Sequence, residues 1–409
     1  MIPADSLPLA APGASFALLA GVQVLDLSTS LSGPYATMLL GDMGAEVLKV
    51  ERPGTGDDAR HWEPPVLDGQ SLWYLSVNRN KLSLTLDYSR PEGLAVLYEL
   101  VRNSDIVVTN QLRAAQEKLG VDYASLQAVR PDLVFVSITG FGLTGARSEL
   151  LCYDLIAEGY SGVMDVTGEA GGEPQKIGAP AADMLAGQDA AFAAVAALLD
   201  RSRTGRGHQV DISLVESMTR MMTPRIVTYL GSGEVPQRTG AKDSVIAIYQ
   251  SFQTADDPIT LGLGNDKIWK RFWAAVGRPE RGEDPGSATN SARRRLRAAI
   301  VLEIQEILST KPRAHWLEVF ARAGVPAGPI HGVDEVVADT HLHARGLFYG
   351  IPTGGAPIPQ VGTGIRIDDR PAGYRYPPPR LGEHSAEVLG SRLGYNQERI
   401  ARLREIGIL

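Results

Sequence analysis

One carboxylate stands out by its surroundings. Asp183 lies in Lys176-Ile177-Gly178-Ala179-Pro180-Ala181-Ala182-Asp183-Met184-Leu185-Ala186-Gly187, a lone acid among small and apolar side chains. An Ala-rich run, 189–199, follows and predicts a buried helix. A carboxylate held there is poorly solvated, which sharpens it as a nucleophile, and aspartate can carry covalent intermediates. The same residue type also favours a helix N-cap and the positive end of a helix dipole. This stretch alone fits both a nucleophile and a cap.

Other chemistries find little material. The seven histidines are scattered, and only His341 and His343 are close in sequence. No Cys or acidic pair completes a metal set around them, so no metal is expected. The single cysteine, Cys152, permits no disulfide within the chain, and a reducing compartment, the cytoplasm, is expected. The 409 residues are 44% hydrophobic and 21% charged, with a net charge of −7. No basic block or aromatic-basic interleaving occurs, which argues against nucleic acid as a partner. The stretch 1–20 is apolar and Pro/Ala-rich but lacks a basic start, and reads as a loose leader. No run of 18 apolar residues occurs, so no membrane span is expected.

The elements that must position Asp183 alternate in type. Residues 21–27 form an apolar strand, and Gly33-Pro34 opens a helix that stops at Gly44. Residues 46–51 make the next strand, completing a β-α-β unit with a right-handed crossover. Helices over 92–102, 114–119 and 123–129 and strands over 105–109, 133–138 and 209–213 continue the pattern, with a further helix from Val215. This predicts an α/β fold, a doubly wound parallel sheet, with ligands at the carboxyl ends of the strands. Residues 28–32, 52–56 and 109–111 then fall at the site. A chain of this length predicts more than one core. The expected division is a leader, 1–20; a large domain, 21–230; a linker, 231–244; a small α/β domain, 245–348; and a return segment, 349–409. Within the small domain, 278–295 is polar and Pro/Gly-rich and reads as a surface or mobile loop.

No Gly-x-Gly-x-x-Gly follows the first strand and no Walker loop is present, so the sheet does not take a dinucleotide by the glycine route. An acidic chain that binds phosphates must concentrate its cations locally. Lys49, Arg52, Arg60, Arg79, Lys81, Arg113 and Lys118 are the candidates, and Arg52 is the strongest, since it ends a strand.

Taken together, these stretches resemble a family. Leu25-Asp26, Ser32-Gly33-Pro34, Gly44-Ala45-Glu46-Val47, Lys49-Val50-Glu51-Arg52-Pro53-Gly54, Gly56-Asp57 and Arg60 look like the opening of the family III CoA-transferases, the formyl-CoA transferase and carnitine CoA-transferase superfamily. Asn80-Lys81-x-Ser83, Asp105-x-Val107-Val108-x-Asn110, Thr204-Gly205-Arg206-Gly207 and Leu381-Gly382-Glu383-His384 are also similar to its signatures. The resemblance spans the chain from Gly21 onward. It implies Asp183 as the catalytic residue and an acyl-CoA and a carboxylic acid as substrates, with no bound cofactor. It places coenzyme A contacts at Leu31, Ser32, Arg52, Leu86, Asn110, Ala115 and Lys118, and an acyl-pocket pair at Tyr153 and Asp154. Arg52 and Lys118 suit phosphates, and Asn110 suits an adenine edge. It further implies a homodimer of interlocked rings; a heteromeric partner stays open.

Several positions depart from the pattern. Gln111 stands where an aromatic is common, and Leu31 where formyl-CoA transferase has a polar residue. The tetraglycine loop of that enzyme is replaced by Gly262-Leu263-Gly264-Asn265, which does not support an oxalate pocket. Tyr153 stands where the related racemases carry a histidine base, which argues against racemisation. The implied relay moves CoA between two acids through an aspartyl anhydride and an aspartyl-CoA thioester. With an ordinary acidity of about 3.9, Asp183 would be ionised at neutral pH. Backbone amides of 262–265 are candidate oxyanion donors, and Arg225, Arg238 and Lys242 are candidate clamps for an acceptor carboxylate, with succinate favoured as a donor acid. An intramolecular CoA shift, an acyl-CoA isomerase and a non-catalytic CoA-binding subunit are the competing readings.

Overall fold

The computed structural model describes residues 3–13 and 16–409. The chain forms two compact units, one of residues 1–163, 177–223 and 339–409, the other of 164–176 and 224–338.

The first unit is built on six parallel strands: β1 (Gln23–Asp26), β2 (Glu46–Glu51), β3 (Lys81–Thr85), β4 (Ile106–Thr109), β5 (Val134–Thr139) and β6 (His208–Ser213), in the order β3-β2-β1-β4-β5-β6. Leu25 lies in register with Leu48 on one side and Val107 on the other. The strand order reverses between β1 and β4, which opens a crevice beyond their carboxyl ends. Intervening helices are α1 (Ser32–Asp42), α2 (Pro91–Arg102), α3 (Arg113–Leu119), α4 (Tyr123–Val129), α5 (Asp154–Ser161), α6 (Ala181–Thr204) and α7 (Leu214–Met221).

The two faces of the sheet differ in chemistry. Leu25, Leu48, Val50, Leu84, Leu86 and Phe135 pack with Val96, Leu97, Leu100 and Val101 of α2 and with Val388, Leu389, Ile400 and Leu403 from near the C-terminus. Each such side chain contributes about 1.5–3 kcal/mol by leaving water. On the alternate positions Asp26, Lys49, Glu51, Lys81 and Ser83 are also buried. Strand pleating sends neighbours to opposite faces, so one sheet carries an apolar and an ionic layer. β3 was not foreseen in the sequence, because Lys81 and Ser83 interrupt its apolar pattern. Lys81 Nζ donates to Asp26 Oδ2 at 3.0 Å and Ser83 Oγ to Glu51 Oε1 at 2.7 Å, which satisfies both where they are buried.

β3 is an edge strand, and the C-terminal return covers it. Ser83 Oγ accepts from Gly382 N at 2.9 Å, Ser83 O accepts from His384 N at 3.0 Å, and Thr85 N donates to Ser385 Oγ at 3.2 Å. An uncovered edge would present free backbone groups to other chains. Leu381-Gly382-Glu383-His384 is thus an edge cover.

The buried helix predicted over 189–199 is longer, running as α6 from Ala181 to Thr204. Ala182, Ala186, Ala190, Ala194 and Ala197 form its buried stripe. Small residues let it lie close on α1: a Cβ at Gly187 would stand 2.6 Å from the Ser32 carbonyl oxygen. By length and composition α6 is apolar enough to cross a membrane, but in this fold it packs against α1, α5 and α7.

Two expectations are corrected. The stretch 1–20 is not loose where it is described: Gly350 N donates to Pro8 O at 3.0 Å, Ala10 N to Gly350 O at 3.0 Å and Gly13 N to Tyr374 O at 2.9 Å. Nor is 278–295 a mobile loop. It folds as Pro279–Gly282, Pro285–Ser287 and Asn290–Arg295, with Arg281 forked onto Glu303 and buried Arg293 stacked 4.5 Å over Trp269.

The second unit holds an antiparallel sheet of β7 (Tyr249–Phe252), β8 (Ile259–Gly262) and β9 (Ala327–Pro329), in the order β9-β8-β7. Trp269, Phe272 and Trp273 of the helix Asp266–Ala275 pack with Ile300, Ile304, Trp316 and Phe320 beside it.

Candidate active site

Asp183 is the third residue of α6. It does not cap that helix. Pro180 holds the N-cap position, and no side chain of its own closes the first turn. Instead Asp154, the first residue of α5, accepts from Ala182 N at 2.8 Å and Asp183 N at 3.2 Å through Oδ1. That leaves the Asp183 carboxylate free of capping duty, and among the described residues it forms no salt bridge.

Burial pushes the Asp183 carboxyl up from 3.8 to about 7, the charge of Asp154 adds to the rise, and a hydrogen bond from the Ser32 side chain opposes it. The expectation of an ordinary, fully ionised aspartate is therefore corrected. The lone Cys152 also belongs here: burial and then the charge of Asp183 raise its thiol to about 11. Sequence reasoning missed this neighbour. Cys152 packs on Gly140, where a Cβ would stand 2.1 Å from the Cys152 Cβ, a close approach only glycine permits.

Ser32 opens α1 and Leu31 is its N-cap residue; both are buried. A buried ionic cluster fixes the loop before them. Lys49 Nζ donates to Ser28 O at 2.7 Å and pairs with Asp57 at 2.8 Å, while Asp57 Oδ1 accepts from Ser30 N at 2.8 Å. Ser30 has φ +69°, a conformation disfavoured for a side-chain-bearing residue and held here by those bonds. Burial opposes ionisation of Asp26, but Lys49 and Lys81 outweigh it and hold its carboxyl far below the usual range.

The phosphate candidates divide accordingly. Lys49 and Lys81 are consumed by Asp26 and Asp57, Arg79 by Asp42 at 2.7 Å, and Arg60 by Glu51 at 2.7 Å. Arg113 is exposed and pairs with Glu117 at 2.7 Å. Arg52, just beyond β2, is 60% exposed, and among the described residues exposed Asp58 is its only ion-pair partner. Lys118, on α3, is exposed and has no ion pair among the described residues. Ala115 is half-buried on the same helix.

Other predicted contacts are differently disposed. Asn110, beyond β4, clamps Thr29 across the crevice, accepting from its N at 3.0 Å and donating to its O at 2.7 Å. The Leu86 side chain is in the core. Tyr153, the N-cap residue of α5, is 69% exposed. In the second unit Gly262 N and Leu263 N are already bonded to Pro326 O and Ile248 O, leaving Gly264 and Asn265 as the amides of that loop with no partner among the described residues. Arg238 is held by Gly172 O at 2.9 Å and Asp165 at 2.8 Å, and Arg225 is bonded to Ser244. A cavity of about 830 Å³ in the first unit, bordered by residues of 8–13, 16–18 and 343–373, is lined by none of the predicted site residues. No His, Cys, Asp and Glu cluster suited to a metal ion occurs among the described residues.

A model of CoA-transferase family III matches residues 19–385. The succinate–glutarate CoA-transferase of Agrobacterium fabrum is 38% identical over 382 residues, 91% of this chain and 94% of that protein. The succinyl-CoA:glutarate CoA-transferase of Mus musculus is 35% identical, covering 96% and 90% of the two chains. A solved CAIB/BAIF family protein from Brucella suis superposes with a TM-score of 0.80 at 37% identity, over 91% of this chain and 99% of its own.

Proposed function

The chain belongs to CoA-transferase family III and is a CoA-transferase, and from that membership we propose that it moves CoA from succinyl-CoA to a second dicarboxylic acid, glutarate first among candidates, through covalent intermediates on Asp183. The carrying observation is the unpaired, poorly solvated carboxylate of Asp183 at the start of α6. The substrate class follows from relatives whose names join succinate to glutarate. An intramolecular shift has no such support.

Exchange of CoA between acids conserves the thioester only if the activated acyl group never meets water. In the proposed relay, Asp183 attacks the thioester carbonyl carbon, the C–S bond breaks, and CoA leaves as thiolate. The thiolate attacks the aspartyl carbonyl of the mixed anhydride and frees succinate. The acceptor carboxylate attacks the aspartyl-CoA thioester, and the released thiolate attacks the acceptor carbonyl of the new anhydride. Acceptor-CoA departs and Asp183 is regenerated. No external base is required once Asp183 has lost its proton, so placement and oxyanion donors carry the rate.

Arg52 and Lys118 take CoA phosphates in this reading, with Leu31, Ser32, Leu86, Asn110 and Ala115 shaping the crevice by packing and backbone. Tyr153 borders the acyl group. The active form is proposed as an interlocked homodimer. Exposed Leu151 and Tyr153 before α5, Leu155 and Ile156 on it, and Phe192 and Leu199 on α6 give a second copy an apolar surface to cover.

The test is Asp183→Ala, which removes the covalent route. Turnover of succinyl-CoA with glutarate is expected to fall by a factor on the order of 10³ or more while CoA still binds. Wild type incubated with succinyl-CoA and hydroxylamine is expected to gain a hydroxamate on Asp183. Turnover near wild type in the variant would defeat the relay.

A further inference from the structure

Asp154 belongs to α5 by sequence but serves α6 by hydrogen bonding. Its Oδ1 accepts from both Ala182 N and Asp183 N, at 2.8 and 3.2 Å. These are two of the donors that a helix start leaves unsatisfied, and Pro180 at the N-cap has no side-chain acceptor to offer. The nucleophile's own amide is therefore fastened to a second carboxylate. Fastening the amide fixes the point from which the Asp183 side chain departs.

The charges around Asp183 make the arrangement one-sided. From α5 come Asp154 and Glu158, whose Oε2 is bonded to Ile177 N at 2.8 Å. The segment before α5 brings Cys152, and α1 brings Ser32 and Tyr35. On α7, Glu216 lies in the first turn, and Arg220 is paired with Asp189, six residues beyond Asp183 on α6. No cation from these elements pairs with Asp154 or Asp183 among the described residues. The capping acid thus meets the nucleophile as a like charge, offset by the two amides it accepts from but by no paired cation among the described residues.

Resting on the reading of Asp183 as the nucleophile, we propose that Asp154 is its positioning residue, holding the first turn of α6 in place and repelling the free carboxylate so that the neutral acylated forms are favoured. A mixed anhydride or a thioester at Asp183 carries no charge there. Repulsion between the two acids exists only in the uncovalent state and is relieved when the Cγ–O–C bond of the anhydride forms. Burial raises the basicity of Asp183 most, and the same repulsion adds to it.

Asp154→Asn separates the two roles, because its side-chain oxygen still accepts from the amides while the charge is gone. Expected for this variant are a Tm near wild type, an unchanged KM for succinyl-CoA, a pH–kcat midpoint lower by about one unit and a kcat at pH 8 lower by about 5- to 10-fold. Asp154→Ala, which loses the cap as well, is expected to lower Tm and to cut kcat further. The infrared band of the protonated Asp183 carboxyl, identified as the difference from Asp183→Asn, reports the same midpoint without turnover. An Asn variant with the wild-type midpoint and kcat overturns the proposal while hydroxylamine still marks Asp183. Absence of that mark in wild type overturns the nucleophile reading, and this proposal with it.

Discussion

Replacing Asp183 by Asn tests the electrostatics of the site through stability. The side chain keeps its shape and loses the ability to ionise. Folding raises the Asp183 carboxyl from 3.8 to about 7, chiefly by burial and then by Asp154. The folded protein therefore holds this proton more tightly than the unfolded chain does. Its stabilising contribution is complete below about 3.8, declines between 3.8 and 7, and is gone above 7. At 1.36 kcal/mol per tenfold change in proton affinity, the full span approaches about 4 kcal/mol, and water reaching the half-buried carboxyl trims this to about 2–4 kcal/mol. With an unfolding entropy of about 2.1 cal/mol/K per residue, that corresponds to about 2–5 °C for a chain of this size. The measurement is Tm of both proteins at matched concentration from pH 4.5 to pH 8.5. Asp183→Asn is expected to gain on wild type as pH rises to 7 and to hold a constant lead beyond it. A difference that does not vary with pH, or an Asn variant that melts below wild type at pH 8, would refute the assignment of a strained carboxylate to this position.

The other expectations concern binding, the ionic layer and assembly. Arg52→Ala and Lys118→Ala should each weaken CoA binding by about 10- to 100-fold, since a charge-assisted hydrogen bond contributes about 1.5–3 kcal/mol; calorimetry at low and high salt should show the loss fading as screening grows, and unchanged affinity in both variants would reject them as phosphate ligands. Lys49→Met should destabilise the protein by about 3–5 kcal/mol in urea titrations, because Asp57 and Asp26 would keep buried charge with less compensation; a change under 1 kcal/mol would mean the cluster is not charged as described. The interlocked dimer, proposed as the active form, predicts that dissociation and loss of helicity share one denaturant midpoint, which rises with protein concentration. A folded monomer in the ultracentrifuge at nanomolar concentration would contradict it.

Much of the first unit was legible because apolar periodicity and turn residues coincide there. Val24-Leu25, Val47-Leu48 and Val107-Val108 announce parallel strands, and Gly44 marks the end of α1. The parts that were not legible are those where tertiary partners override residue type. Lys49 and Lys81 look like surface cations in any window of sequence, yet Asp26 and Asp57 make them interior residues. β3 escaped notice for the same reason. At the candidate site, Asp183 was visible from its apolar context, but its raised proton affinity was not, because that depends first on the burial the assembled fold imposes and then on Asp154 approaching from another helix. Neither the closeness of Cys152 nor the bond from Asn110 to Thr29 has a local signature, since each joins segments that meet only when the sheet is assembled.

The covered edge of β3 has implications for how the protein is made. Ser83 and His384 are separated by 301 positions. At about 5–20 residues per second, a ribosome would take about 15–60 s to add what lies between them. For that interval the nascent sheet has an open side, able to pair with the same strand of a neighbouring nascent chain on one message. Ribosomes translating closely behind one another would bring such edges together before either can be covered. A premature stop anywhere upstream of the return segment leaves that exposure permanent, so truncated products are expected to accumulate as aggregates or as chaperone clients.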